Sequence, residues 1–205
     1  MLKLYYAKNT CALAVHLALE WAQAPYEAEL IDFQRQQQRD PAYLAINPKG
    51  RVPALVTERG VLTETPALLL YVAQEYPRAA LAPLEDHFLL AKMNEINAYL
   101  CSTVHVNHAH KGRGARWADD EAAWESMKRK VAQNLTENFS LIEGSYLQGP
   151  WVLGERFSTS DIYLFTVARW LYANDIDVAQ FPKVAALLQR MNAQPQVQKV
   201  MALHA

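Results

Sequence analysis

Asn47-Pro48-Lys49-Gly50-Arg51-Val52-Pro53-Ala54-Leu55-Val56-Thr57, then Glu58-Arg59-Gly60, then Val61-Leu62-Thr63-Glu64-Thr65-Pro66: this run decides the fold. Asn47 to Gly50 reads as a turn. Val52 to Thr57 and Val61 to Thr63 are short strands, and the glycine-containing gap between them has hairpin length. Thr65-Pro66 then opens a helix through Tyr76, with the threonine as cap and proline at the first helical position. A hairpin thus feeds directly into a helix.

Upstream, strand and helix signals alternate. Leu2 to Tyr6 has strand character, and Leu13, Leu17, Trp21 and Ala24 then fall on one side of a 3.6-residue period, with His16, Glu20 and Gln23 on the other. Asn9 or Thr10 can cap this helix, which places Cys11 in its first turn, where unpaired N–H groups favour negative charge. Pro25 ends it. A second strand runs from about Tyr26 to Phe33, the polar run Gln34 to Asp40 reads as a solvated loop, and Asp40 to Ala45 as a short capped helix. The order is βαβαββα.

Downstream of about Leu84 the strand signal stops. Leu89, Met93, Ile96, Leu100 and Val104 form one helical stripe, and Trp124, Met127, Val131, Leu135, Phe139, Ile142 and Tyr146 a second. Ser158 to Asp161 has capping-box spacing, with Phe157 and Ile162 at the staple positions, and opens a helix from Ile162 to Ala173 that is apolar nearly all round. Helices over about Pro182 to Asn192 and Gln196 to Leu203 follow. Tyr76 to Pro83 reads as a linker.

Composition narrows the function classes. The 205 residues are 51% hydrophobic and 20% charged, with 20 Lys+Arg against 21 Asp+Glu, so the chain is an ordinary folded protein with no field for polyanions. No run is apolar for long enough to span a bilayer or to form a secretory core. Two cysteines, Cys11 and Cys101, make no disulfide framework and suit a reducing compartment, so the expected location is the cytoplasm. Neither nucleic acid nor membrane is an expected partner. The basic stretch Lys111 to Trp117 reads as a solvated loop.

Several residues are chemical candidates. Cys11 is either a small buried hydrophobe or a thiol activated by a helix N-terminus. Position 8 is lysine and position 14 alanine, so any disulfide chemistry is monothiol. Glu64 and Thr65, at a helix start, form either a plain cap or an anion site with an adjacent carboxylate. His105 and His108 share a helical face, but His110 is rotated away and no further ligand completes a metal site. Of Tyr5 and Tyr6, strand alternation lets at most one face any one site.

The whole layout resembles the glutathione transferase superfamily. Asn47 to Leu55 resembles the family's segment before a cis-proline, Leu62-Thr63-Glu64-Thr65 its glutamate-plus-hydroxyl motif, and Phe157 to Ile162 its buried capping box. Tyr5-Tyr6, a cysteine opening the first helix, and Cys101-Ser102-Thr103-Val104-His105 are most similar to the bacterial, cysteine-containing beta class. The chain departs where Lys8-Asn9 replaces Pro-Gly, where Gln36 stands near an expected lysine, and where Ala98 replaces asparagine. The resemblance implies an α+β two-part fold: an N-terminal thioredoxin-like βαβαββα domain over 1–77, a linker over 78–83, and an all-α helical bundle over 84–205 that forms the electrophile pocket. It also implies a homodimer.

The expected activity is conjugation of the glutathione thiol to a small hydrophobic electrophile in detoxification, with glutathione as co-substrate and no metal. By resemblance Cys11 faces the glutathione sulfur, and His105 donates to a thiolate or polarises the substrate. Val52 and a cis Pro53 hold the cysteinyl part, Glu64 and Thr65 take the γ-glutamyl end, and Gln36 occupies a further glutathione-binding position. Two other functions stay open: monothiol disulfide exchange or reductive deconjugation through Cys11, and a non-catalytic protein-interaction module.

Overall fold

The computed structural model describes residues 1–204 and divides into two compact units, Met1–Leu90 with the segment from Met191 on, and Ala91–Arg190. In the first unit the elements are β1 (Leu2–Tyr6), α1 (Ala12–Trp21), β2 (Tyr26–Leu30), α2 (Pro41–Ile46), β3 (Ala54–Thr57), β4 (Gly60–Thr63) and α3 (Thr65–Glu75). The strands form one sheet in the order β2-β1-β3-β4. β1 runs parallel to β2 and antiparallel to β3, and β3 pairs with β4 across the short hairpin. This is the expected βαβαββα order. Leu4 and Leu55 pair across the sheet centre and are buried, as are Leu13 and Leu17 of α1 and Leu68, Leu69 and Val72 of α3.

Helix starts differ from expectation by one residue each. Cys11 is itself the N-cap of α1 rather than a residue of its first turn, and Glu64, not Thr65, caps α3, with Pro66 second in the helix. Thr10 is turned elsewhere: its hydroxyl donates to the Ala7 carbonyl at 2.8 Å and accepts from the Ala12 N–H at 3.3 Å.

The second unit is helical. α4 (His87–Tyr99) leads to a π-helical turn over Leu100–Val104, and α5 (His105–Ala109) follows. α6 (Glu121–Leu141) ends in another π turn over Ile142–Tyr146, and α7 (Thr159–Ala168) runs into a 3-10 turn over Arg169–Asn174. α8 (Pro182–Asn192) and α9 (Pro195–His204) complete the order. The stripe from Leu89 to Val104 is therefore not one continuous helix; the π turn advances its phase while Leu100 and Val104 stay buried. Every residue of α7 is buried, and its capping box is formed in full by Ser158 and Asp161.

The first compact unit takes in the segment from Met191 on. α9 packs on α1, covering the face that carries His16, because Val197, Val200 and His204 bury their side chains there. His16, on the polar side of the helical period, is consequently fully buried.

Candidate functional site

The first unit assembles one group of candidates around the loop before β3. Val52–Pro53 is a cis peptide bond, as the resemblance implied. The preceding carbonyl, that of Arg51, accepts from the Tyr43 hydroxyl and from Asn47 Nδ2, each at 2.7 Å. Tyr43 and Asn47 are buried, so the segment is clamped from inside. Burial pushes the Tyr43 phenol up to about 12, which keeps it a donor. Gly50 helps to set the loop: its φ is +59°, and a Cβ there would stand 2.9 Å from the Gln38 carbonyl oxygen.

Cys11 meets this loop directly. Its Sγ donates to the Val52 carbonyl oxygen at 3.8 Å, and the residue is 8% exposed. This contact requires an S–H, since a thiolate has nothing to donate.

At the start of α3, Thr65 is buried while Glu64 is exposed. Glu64 adopts φ 72°, a left-handed conformation that costs a non-glycine residue about 1–3 kcal/mol. Its Oε1 pairs with Lys49 Nζ at 2.5 Å, and Lys49 also donates to the Thr63 hydroxyl at 2.8 Å. The pair joins the loop before β3 to the helix start. Gln36 lies on an exposed turn, also at positive φ.

Tyr5 and Tyr6 separate to opposite faces, as alternation requires. The Tyr5 ring packs against Tyr43 at 5.6 Å, whereas Tyr6 lies against His16 at 5.0 Å and His204 at 4.7 Å. His16 Nδ1 and His204 Nε2 are 3.0 Å apart, so one ring donates and the other accepts.

In the second unit His105 opens α5, half-buried, with its ring 4.9 Å from that of Trp170. The histidines expected near it go to separate partners: His108 stacks on Trp170 at 4.7 Å and 21°, and His110 meets Trp117 edge-on at 4.5 Å. Among the described residues no group of three His, Cys, Asp or Glu is placed to hold a metal ion, and no helix is long and apolar enough to cross a membrane.

Residues that the sequence did not single out are Tyr43, Asn47 and Lys49 in the first unit and Trp170 and Asn174 in the second. Asn47 and Lys49 lie inside a stretch whose Asn-Pro and Lys-Gly pairs signal only a turn; their side-chain roles emerge when α2 and β4 come alongside. Trp170 and Asn174 carry no local signal at all.

Comparison with known proteins gives a consistent relationship. Residues 10–75 match the model of the glutathione S-transferase N-terminal domain, and residues 67–195 that of the glutathione S-transferase C-terminal domain. An Escherichia coli glutathione S-transferase is 31% identical, with 98% of each chain covered. A glutathione transferase homologue from Sulfitobacter, solved with bound glutathione, is 45% identical and superimposes with a TM-score of 0.96, covering 99% of this chain and 98% of its own. The beta class glutathione S-transferase of Sphingomonas chungbukensis is 28% identical with a TM-score of 0.86, covering 99% of this chain and 98% of its own.

Proposed function

The chain belongs to the glutathione S-transferase family, and from that premise we propose that it binds glutathione through Val52, Pro53, Glu64 and Thr65 and transfers the glutathione sulfur to a small hydrophobic electrophile held by the helical domain, residues 84–205. The observation that carries the binding mode is the charged group at the start of α3. There the Glu64–Lys49 pair stands beside the buried Thr65, on a backbone strained at Glu64.

A helix start presents unpaired N–H groups, which suit the α-carboxylate of the γ-glutamyl end. Lys49 occupies Glu64 Oε1, and Oε2 is the oxygen available to the α-ammonium. The Val52 backbone, fixed through the clamped Arg51 carbonyl, takes the cysteinyl part as an added strand would. Glutathione's thiol gives its proton to water, the thiolate attacks the electrophilic carbon, a C–S bond forms, and the leaving group departs with its electron pair. Cys11 and His105 are assigned to the sulfur, the first by a thiol beside it and the second by a hydrogen bond from its ring. The protein works as a homodimer in the cytoplasm, and sedimentation showing only monomer at micromolar concentration removes the dimer.

Glutathione stabilises the fold by RT ln(1 + [L]/Kd), about 2.7 kcal/mol at a hundredfold excess over Kd. Glu64→Ala loses most of that gain, measured as the ligand-induced shift in denaturant midpoint. An unchanged shift places the γ-glutamyl end elsewhere.

Disulfide exchange through Cys11 is the second reading, favoured by the place of Cys11 at the start of α1, where a thiolate is stabilised; the Sγ contact to the Val52 carbonyl is made by the protonated thiol alone. Cys11→Ala separates the two: conjugation persists in part, because the attacking sulfur belongs to the substrate, and mixed-disulfide turnover disappears.

A further inference from the structure

Asn47, which caps the C-terminal end of α2, is 1% exposed and uses both ends of its side-chain amide. Nδ2 donates to the Arg51 carbonyl at 2.7 Å, and Oδ1 accepts from the Lys49 N–H at 3.2 Å. The two partners differ in kind: a carbonyl oxygen only accepts and a backbone N–H only donates, so the amide has one orientation that satisfies both. Its backbone is engaged as well, the N–H donating to the Tyr43 carbonyl at 2.8 Å and the carbonyl accepting from the Gly50 N–H at 2.9 Å. The side chain is thereby held in place, and it holds two peptides of the loop before β3 at once.

Each of these peptides leads to a different half of the proposed glutathione site. The Arg51 carbonyl shares a planar trans peptide with the Val52 N–H, and in such a unit the two groups point in opposite directions. Asn47 and the Tyr43 hydroxyl draw the carbonyl inward, which turns the Val52 N–H outward, where an added strand would meet it. The second peptide carries Lys49, whose Nζ reaches across to Thr63 and Glu64. All of these residues lie in the first compact unit.

We infer that Asn47 is a positioning residue that couples the two halves of this site, aiming the Val52 N–H through the Arg51 carbonyl and Glu64 through Lys49. The inference rests on the glutathione-binding mode proposed above. Asn47 itself touches no part of glutathione in this scheme. Aspartate, with nearly the same shape, keeps an oxygen for the Lys49 N–H but sets a second oxygen against the Arg51 carbonyl, so it separates the two tasks. The Tyr43 hydroxyl serves one half alone, since its contact is with the Arg51 carbonyl.

The test is calorimetric titration of the full chain with glutathione, arranged as double-variant cycles against Glu64→Gln. Asn47→Ala and Glu64→Gln are each expected to raise Kd about tenfold, the size of one or two hydrogen bonds. Together they raise it about twentyfold rather than about a hundredfold, because Lys49 no longer aims Glu64 once the Asn47 amide is gone. Tyr43→Phe and Asn47→Asp disturb the Val52 side alone, so their losses multiply with that of Glu64→Gln. An Asn47 with a merely structural role gives multiplying losses in every pairing. Glu64→Gln is also expected to move the Asn47 side-chain amide resonances in the absence of ligand, a readout that remains if Asn47→Ala does not fold. If Glu64→Gln weakens glutathione binding but its loss multiplies with that of Asn47→Ala, or if those resonances stay in place, the coupling is wrong and the binding mode stands. If Glu64→Gln binds glutathione as the unaltered protein does, the binding mode fails and the coupling with it.

Discussion

His16 is a fully buried histidine. Burial pushes its imidazole down from 6.5 to about 4, with smaller opposed influences from Glu20 and Lys199, so the folded protein holds it neutral where the unfolded chain takes up a proton. The lowered value means that its share of stability is complete above pH 6.5 and is lost as the pH falls toward 4, to a total of about 3 kcal/mol. Denaturant unfolding from pH 4 to 7 is expected to show this slope, and His16→Phe to reduce it, the buried His108, also held down to about 4, keeping its own share; an unchanged slope assigns the acid sensitivity to other groups. Cys11 offers a second check at this scale. Alkylation of Cys11 should slow when glutathione saturates the protein while that of the half-buried Cys101 does not, followed peptide by peptide by mass spectrometry. Equal rates for Cys11 with and without glutathione remove it from the sulfur's vicinity. Cys11 was visible in the sequence because a helix start is a local signal. The burial of His16 was not, because helical periodicity places it on the polar face, and α9, nearly the whole chain away, joins Tyr6 and Tyr26 in covering it.

Elements were legible where their ends carry chemistry. Ser158 and Asp161 announced α7, and the structure delivers both halves of the box: the Ser158 hydroxyl accepts from the Ser160 N–H at 3.3 Å, and Asp161 accepts from the Ser158 N–H at 2.8 Å and from the Val152 N–H at 2.7 Å. Burial raises the Asp161 carboxyl to about 7 against the pull of these bonds. Ser158→Ala should cost about 1–2 kcal/mol, a normal cap. Asp161→Ala should cost more, about 3 kcal/mol, because it also strands two buried N–H donors. Equal costs in urea titrations would mean that the Val152 bond contributes nothing. The π turns before His105 and after α6 were not legible, since an apolar stripe marks which residues are buried and not how many share a turn. The loop before β3 was legible as a motif but not as a mechanism. Asn47 read as a turn former, and its grip on the Arg51 carbonyl depends on Tyr43 arriving beside it.

At the scale of the whole molecule, the first unit is discontinuous in sequence: Met1–Leu90 is joined by the segment from Met191 on. α9 brings Val197, Val200 and His204 to a face of α1 that carries His16, and Lys199 pairs with Glu20 at 2.7 Å. A chain ending at Asn192 should therefore bind an environment-sensitive apolar dye and lose cooperative unfolding of the first unit. Retention of both native properties would make α9 an ornament. The arrangement also sets a timetable for synthesis. A ribosome adding about 5–20 residues per second releases the strands and first helices early, then must thread the entire helical unit before the closing helix emerges. For those seconds the α1 face stays open to the cellular milieu, which makes the nascent first unit a natural client for chaperones that shield exposed apolar surface.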